Sequence, residues 1–188
     1  MPNIDRPMGL QVYGPLLRVN EYTLSAAYGT SIFRGDPVIC NGTANDVVIA
    51  TAGTGNKVVG AVIAVFDVNH VPLAYWPASN PGIGYVLVAN HPDQQFVAQD
   101  NAGTGAQFYD ADACNGNVNL ASGTGSTVTG ISGWELAGGD TPGNTAGDQI
   151  RLVKAVPRVD NTTVGIWRDW IVRINNHQAS VGIVGAGV

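Results

Sequence analysis

Charged residues are scarce in this sequence: Asp, Glu, Lys and Arg make up 12% of its 188 residues, against about 25% in a typical soluble domain. Charged side chains normally cover the solvent-facing surface, so their scarcity leaves a surface of small and neutral polar residues. Such a surface is easily desolvated, and the centres of protein interfaces are likewise depleted in charge. We therefore expect a subunit of an assembly; the alternative is a neutral surface without a partner.

Basic residues and long apolar runs are also lacking. The sequence has nine Lys and Arg against fourteen Asp and Glu, for a net charge of −5, and the basic residues are scattered. Because nucleic-acid binding depends on clustered cations that replace counterions along the phosphates, we predict no nucleic-acid partner. The opening MPNIDRPMGL has no stretch of signal-peptide length, and no segment reaches the roughly 18 apolar residues of a membrane span. The expected compartment is cytosol-like, with no membrane partner.

Residues that usually carry chemistry are sparse. Cys40 and Cys114 lack the spacing of a disulfide framework or a zinc site, so we expect both to be reduced. The three histidines include no HxH pair, which would deliver two metal ligands from one strand. Three GTG loops lack the residues and the following helix of a phosphate loop, and no GxSxG turn occurs. We predict no catalytic residue, no metal and no cofactor, and hence a protein that is not an enzyme.

Short runs of Val, Ile, Thr and aromatic residues, separated by Gly, Asn, Asp and Pro, predict strands and turns. No window shows a sustained apolar stripe of helical period. The predicted class is all-β, a β-barrel or a jelly-roll or sandwich-like domain, with short helical turns only at 109–114 and 134–137. The predicted strands are 31–40 with a break at the Gly35-Asp36-Pro37 turn, 46–51, 57–68, 84–89, 94–99, 127–131, 149–156 and 167–175.

The chain divides into three predicted parts. Residues 1–20, with three prolines and little periodicity, predict an extended N-terminal arm; residues 21–178 predict a single β domain; residues 179–188, ASVGIVGAGV, are an apolar C-terminal tail. An apolar tail left in water favours association, so we expect it to pack against a neighbour, and the arm to do the same. Frayed ends are the alternative for both.

The stretch WIVRINNHQ at 170–178 combines an apolar strand with a polar end. Period-2 geometry places Trp170, Val172 and Ile174 on one face and sends Arg173 and Asn175 to the other, which Ile171 makes a mixed face. We interpret the stretch as a last strand that runs into a subunit contact, so that replacing Asn175, Asn176 and His177 by Ala should weaken assembly and spare the fold. The predicted partner-contact residues are Arg6, Pro7, Trp170, Arg173, Asn175, Asn176 and His177.

The order of several segments points to a family. RPMG at 6–9 is followed by IFRGDPV at 32–38, VGAV at 59–62, YWPA at 75–78, GYVLVANHP at 84–92, VTGISGWEL at 128–136 and WIVRINNHQ at 170–178. This order resembles the head decoration, or cement, proteins of tailed bacteriophages. The most specific parts of the resemblance are the GDPV turn and the closing VRINNHQ.

The resemblance implies a structural role on the virion. Proteins of this kind bind the outside of an assembled capsid, commonly as homotrimers, and hold neighbouring major capsid subunits together. It implies assembly in the host cytoplasm, itself and the major capsid protein as partners, and no catalytic residues. Two other hypotheses stay open: a structural component of the tail or baseplate, and a small-molecule binder or enzyme on a jelly-roll barrel.

Overall fold

A computed structural model of the chain describes residues 3–26, 28–42, 45–101, 113–161 and 167–179. These residues contain fifteen strands and no α-helix, which confirms the predicted all-β class. None of them forms a helix that is long and apolar enough to cross a membrane. The strands are β1 (Gln11–Tyr13), β2 (Val19–Leu24), β3 (Ile32–Phe33), β4 (Pro37–Cys40), β5 (Val47–Ile49), β6 (Gly60–Phe66), β7 (Pro72–Leu73), β8 (Tyr75–Trp76), β9 (Gly84–Ala89), β10 (Gln95–Gln99), β11 (Asn117–Val118), β12 (Leu120–Ala121), β13 (Glu135–Leu136), β14 (Ile150–Ala155) and β15 (Asp169–Ile174).

Two antiparallel sheets form the body. Sheet A has the strand order β1-β10-β15-β14-β11, and sheet B has the order β2-β9-β6-β4-β5 with β7 also paired to β6. The short pairs β3-β8 and β12-β13 complete the described structure. The last strand, β15, lies in the centre of sheet A between β10 and β14, so this sheet joins residues from both ends of the chain.

Each sheet has its own cluster of buried apolar side chains. Phe96, Leu152 and Trp170 lie in the cluster under sheet A, and Trp76 lies in the cluster under sheet B. Strand β6 contributes to both, because Ala61 belongs to the first cluster while its neighbour Val62 belongs to the second. The near-continuous apolar sequence of this strand predicts burial on both faces, and its position between the clusters explains that pattern.

Most of the predicted strands are present, and two predictions are wrong. The prediction at 84–89 coincides with β9, whereas residues 134–137 form no helical turn because β13 pairs there with β12. Residues 127–129 form a turn rather than part of a strand, and Gly130 N donates to Ser126 O at 2.8 Å to close it. Hydroxyl side chains in this loop also bond the main chain, which competes with a strand ladder. The turn predicted at 109–114 lies largely outside the described residues.

The N-terminal segment contacts the body at several points. Leu10 is 1% exposed in the core under sheet A, and β1 pairs with β10. Leu10 N donates to Gly35 O at 2.8 Å, and Gly9 N donates to Trp134 O at the same distance. Residues 9–13 are therefore packed into the domain. A role of residues 1–20 as an arm toward a partner stays a prediction, as does the role of the tail, of which only residue 179 is described.

Buried amide side chains connect the loops at one end of the two sheets. Gln149 is fully buried, and its Oε1 accepts from Gly53 N at 2.9 Å and from Leu120 N at 3.2 Å. Its Nε2 donates to Thr51 O at 2.9 Å. One neutral side chain thus satisfies main-chain groups of the loop at 51–53 and of strand β12, groups that would otherwise be costly to bury.

We expect Gly84→Ala to destabilise the fold, because a Cβ atom at this position would overlap the indole ring of the fully buried Trp76. Overpacking of this kind costs about 1–3 kcal/mol. Urea unfolding monitored by tryptophan fluorescence measures the loss. Gly29→Ala is the matched control, because the residue is exposed and no atom lies within 4 Å of the position that its methyl group would take. Equal midpoints for the two variants would contradict the packing described here.

Candidate interaction surface

Sheet A turns one face to the core and the other outward. Trp170, Val172 and Ile174 lie in the core cluster, as predicted, while Ile171 on the opposite face of the strand is also buried, at 0% exposed. Arg173 lies on the opposite face of the strand and is half-buried. This second face is mixed, because Ile171 and Asp169 on it are buried, so only the part of it around Arg173 is accessible to another molecule.

Strand register aligns four polar side chains across this outer face. Tyr13 pairs with Gln95, Gln95 pairs with Arg173, and Arg173 pairs with Arg151. Lys154, beyond a bulge in β14, pairs with Ile171 and is exposed on the same side. We call the surface formed by Tyr13, Gln95, Arg151, Lys154 and Arg173 the basic face.

A buried carboxylate lies beside the basic face. Asp169 is 1% exposed, and its Oδ2 lies 3.2 Å from Arg6 Nη2 and 2.7 Å from Arg158 Nη2. Its Oδ1 accepts from Gln99 Nε2 at 3.1 Å. Gln99 also bonds the N-terminal segment, since its Oε1 accepts from Arg6 N at 2.6 Å and its Nε2 donates to Ile4 O at 3.0 Å. Residues 4–6 are in this way attached to the paired ends of β10 and β15 in sheet A.

A surface groove of about 390 Å³ runs along this attachment. Arg6, Pro7 and Met8 form one side, and Val97 and Arg158 contribute to the other. Two of the residues predicted to contact a partner, Arg6 and Pro7, therefore lie together on an accessible surface. Arg173 lies on the adjoining basic face.

The other predicted contact residues are inside the domain. Trp170 is 1% exposed, with the guanidinium of Arg168 4.8 Å from its ring centre. Asn175, Asn176 and His177 are 8%, 4% and 2% exposed. Side chains buried to this extent offer little surface to a partner, and their contact with one stays an untested prediction.

Asn175 and Asn176 bond main-chain carbonyls of distant loops. Asn175 Nδ2 donates to Ala146 O at 3.0 Å and to Asp148 O at 2.9 Å. Asn176 Nδ2 donates to Asn56 O at 3.2 Å. Gln178 continues the series, because its Oε1 accepts from Cys40 N at 2.8 Å and its Nε2 donates to Cys40 O at 3.0 Å. These three residues, here the amide cluster, join the end of β15 to the loop before β14, to the loop before β6 and to β4 of sheet B.

His177 lies between the members of the amide cluster and forms a parallel bridge with Val58. Its Nδ1 accepts from Ala179 N at 3.0 Å, which places the proton of the neutral ring on Nε2. Burial lowers the pKa of His177, and the nearby charges of Arg18 and His91 act in the same direction. The folded protein therefore holds this imidazole neutral, as a structural group.

The gathering of Arg151, Lys154 and Arg158 beside Arg173 was missed at the sequence level. These residues look scattered along the chain, and only the antiparallel pairing of β14 with β15 brings them together. One feature of the sequence could have indicated this gathering. In β14 and β15 basic residues alternate with core residues, as Arg151 does between Ile150 and Leu152.

No family model, curated protein or solved structure matches the chain. Within the part of the chain that the structure describes, no group of three or more His, Cys, Asp or Glu residues is placed to hold a metal ion. The basic face and its groove therefore define the candidate site by geometry alone.

Asn175→Ala is expected to destabilise the fold, contrary to the expectation that this residue can be replaced without cost. The change removes the donor for two main-chain carbonyls in a buried position, which costs about 1–3 kcal/mol. Chemical denaturation measures it. Asn20→Ala, in the exposed part of β2, is the control and should change stability by less than about 0.5 kcal/mol. Equal stability of both variants would show that the two hydrogen bonds of Asn175 do not stabilise the fold, as for an ordinary surface residue.

We expect the contribution of His177 to stability to depend on pH. Because its folded pKa is below the ordinary value of 6.5, the unfolded state binds more protons just below that pH. The contribution is therefore complete above pH 6.5 and is lost as the pH falls toward the folded pKa. Burial also raises the pKa of Asp36 to about 6 and that of Glu135 to about 7. These two groups make the free energy of unfolding fall as the pH rises, which is opposite to the effect of His177.

The test is therefore a difference between two proteins. The free energy of unfolding of the wild type minus that of His177→Gln should be smaller at about pH 5.5 than at about pH 8. The carboxyl groups are the same in both proteins, so their titration cancels. A difference that does not change with pH would show that His177 titrates normally.

Proposed function

We propose that the chain is a structural virion protein that binds the outer surface of a tailed-phage capsid. It stabilises the shell by bridging neighbouring major capsid subunits, and we propose that it does so as a homotrimer. The observation that carries the proposal is the order of segments from RPMG to WIVRINNHQ, which resembles the capsid decoration proteins over nearly the whole chain.

The packing of these segments is compatible with a shared fold. The most specific segments meet at one place: Gln178, from VRINNHQ, bonds Cys40, which ends the strand that begins in GDPV. The segment GYVLVANHP is connected to them as well, because its strand β9 pairs with β6, and β6 pairs with β4. Segments far apart in the sequence thus form one structural unit, which gives a physical reason for their occurring together.

The surface also supports a role in assembly. The exterior has little charge for its size, and large aliphatic side chains are exposed at several positions, among them Ile4 at 72% and Val128 at 91%. Contacts of this kind are weak singly, but many copies on a repeating lattice add to a firm attachment. Firm attachment through many weak contacts is what a protein that reinforces a capsid shell requires.

Co-sedimentation tests the proposal. Purified protein mixed with undecorated heads of its phage should pellet with them at micromolar concentration and should raise the temperature at which the heads rupture. Heads that already carry the protein are the control, because their sites are filled and they should take up no more. Protein that stays in the supernatant with undecorated heads would contradict the proposal, and location of the protein in the tail by cryo-electron microscopy would favour the tail or baseplate.

A further inference from the structure

A pocket of about 320 Å³ lies where the third GTG loop, residues 122–125, meets β3. Its apolar walls come from Phe33, Ile49 and Trp134, and one carboxylate, that of Asp36, also lines it. The Ser and Thr side chains of the loop are exposed and border the pocket with hydroxyl groups. We call this cavity the Asp36 pocket.

The loop that forms one wall of the Asp36 pocket is held in place by close packing. A Cβ atom on Gly125 would overlap the ring of Phe33, and one on Gly123 would overlap the main-chain carbonyl of Gly133. Any side chain at either position would have to displace its neighbour, because a packed interior has little free space. The wall therefore depends on the two glycines of the GTG motif.

Asp36 is 1% exposed, and one of its polar atoms has no partner. Its main-chain N donates to Phe33 O at 3.1 Å, and its main-chain O accepts from Val62 N at 3.0 Å. Its Oδ2 accepts from Phe33 N at 2.8 Å, whereas Oδ1 is buried and accepts no hydrogen bond from the described residues. Buried polar atoms are rarely left unpaired, so an unpaired oxygen of a residue that lines a pocket indicates a donor from outside the chain.

The carboxylate of Asp36 also has no counter-charge. In the described part of the chain it forms no ion pair, and no Lys, Arg or His residue there lines the pocket. Burial raises its pKa to about 6; the Ser132 hydroxyl acts in the opposite direction but makes no hydrogen bond to Oδ1. The group is therefore mainly ionised at about pH 7.5. An unpaired buried charge is costly, and a bound cation would offset that cost.

The composition of the Asp36 pocket favours an organic cation over a metal ion. Ca²⁺ and Mg²⁺ are held by several oxygen ligands, but Asp36 is the only carboxylate that lines the pocket among the described residues. Apolar walls suit an alkyl chain, and an ammonium group has three N–H donors for the carboxylate and the neighbouring hydroxyl oxygens. An anion or an apolar ligand would leave Oδ1 unpaired.

We propose that the Asp36 pocket binds a primary ammonium group carried on a short alkyl chain. The ammonium group pairs with the carboxylate of Asp36, and the alkyl chain lies against Phe33, Ile49 and Trp134. A lysine side chain of another protein has this chemistry, and so has a small free amine. The inference stands on the pocket alone and does not depend on the function proposed above.

Two small probes of the same chain length test the need for charge. n-Butylamine, which is protonated at neutral pH, should shift the NMR resonances of residues 30–36 and 122–125 of the wild type in a saturable way. n-Butanol should bind at least about tenfold more weakly, because a hydrogen bond between charged groups is stronger than a neutral one. Equal binding of the two probes, or no saturable shift in these residues up to about 100 mM amine, would overturn the inference.

Asp36→Asn tests the assigned residue. The amide keeps the shape and an acceptor for Phe33 N but removes the charge, so n-butylamine should bind about tenfold or more weakly. Asp93→Asn is the matched control, because Asp93 is exposed and does not line the pocket, and it should bind the amine as the wild type does. Unchanged binding by Asp36→Asn would remove the assignment. The comparison of the two probes needs no variant, so it decides the question even if Asp36→Asn fails to fold.

Nα-Acetyl-lysine methylamide separates the two sources of the ammonium group, because it carries the same alkylammonium chain on a peptide main chain. If it binds the pocket as tightly as n-butylamine, the pocket accepts a lysine side chain of another protein. If n-butylamine binds and the lysine derivative does not, the pocket is a site for a free amine. Both results support the pocket, and binding of neither probe overturns it. Failure of the protein to bind heads would overturn the proposed function and leave this site unaffected.

Discussion

Hydrogen bonds from buried, neutral amide side chains to main-chain groups are the interaction on which the rest of the structure depends. Gln149, Gln99, Asn175 and Gln178 each satisfy two or more main-chain groups of segments distant in sequence. A buried amide costs less to desolvate than a buried charge, provided that its bonds are complete. A chain that is only 12% charged can therefore fix long loops between short strands mainly through neutral side chains.

The few charges that remain consequently have larger individual effects. Asp169 is nearly inaccessible, yet it contacts two arginines and one amide, and so attaches the N-terminal segment to sheet A. Arg151 and Arg173, in contrast, are placed opposite each other on the same outer surface.

Local patterns in the sequence are sufficient for the class and for most strands, but not for the site. Alternation correctly places Trp170 in the core, because strand geometry fixes that relation between neighbours. The polar run at Asn175, Asn176 and His177 has the composition of a surface, yet it is buried, and the side chains of Asn175 and Asn176 bond loops 27 to 120 residues away. No local pattern encodes partners at such separations, and the same limit hides the gathering of basic residues.

The buried amide cluster and the basic face are connected through β15. This strand places Trp170 and Val172 in the core cluster and the half-buried Arg173 on the opposite face, and it ends directly at the amide cluster. A shift of its pairing by one residue would exchange the two faces and turn Arg173 toward the core. Bonds from Asn175 to fixed carbonyls oppose such a shift, because its donor group would move away from both acceptors. The buried amide cluster thus fixes the register of β15, and that register determines which of its side chains are exposed.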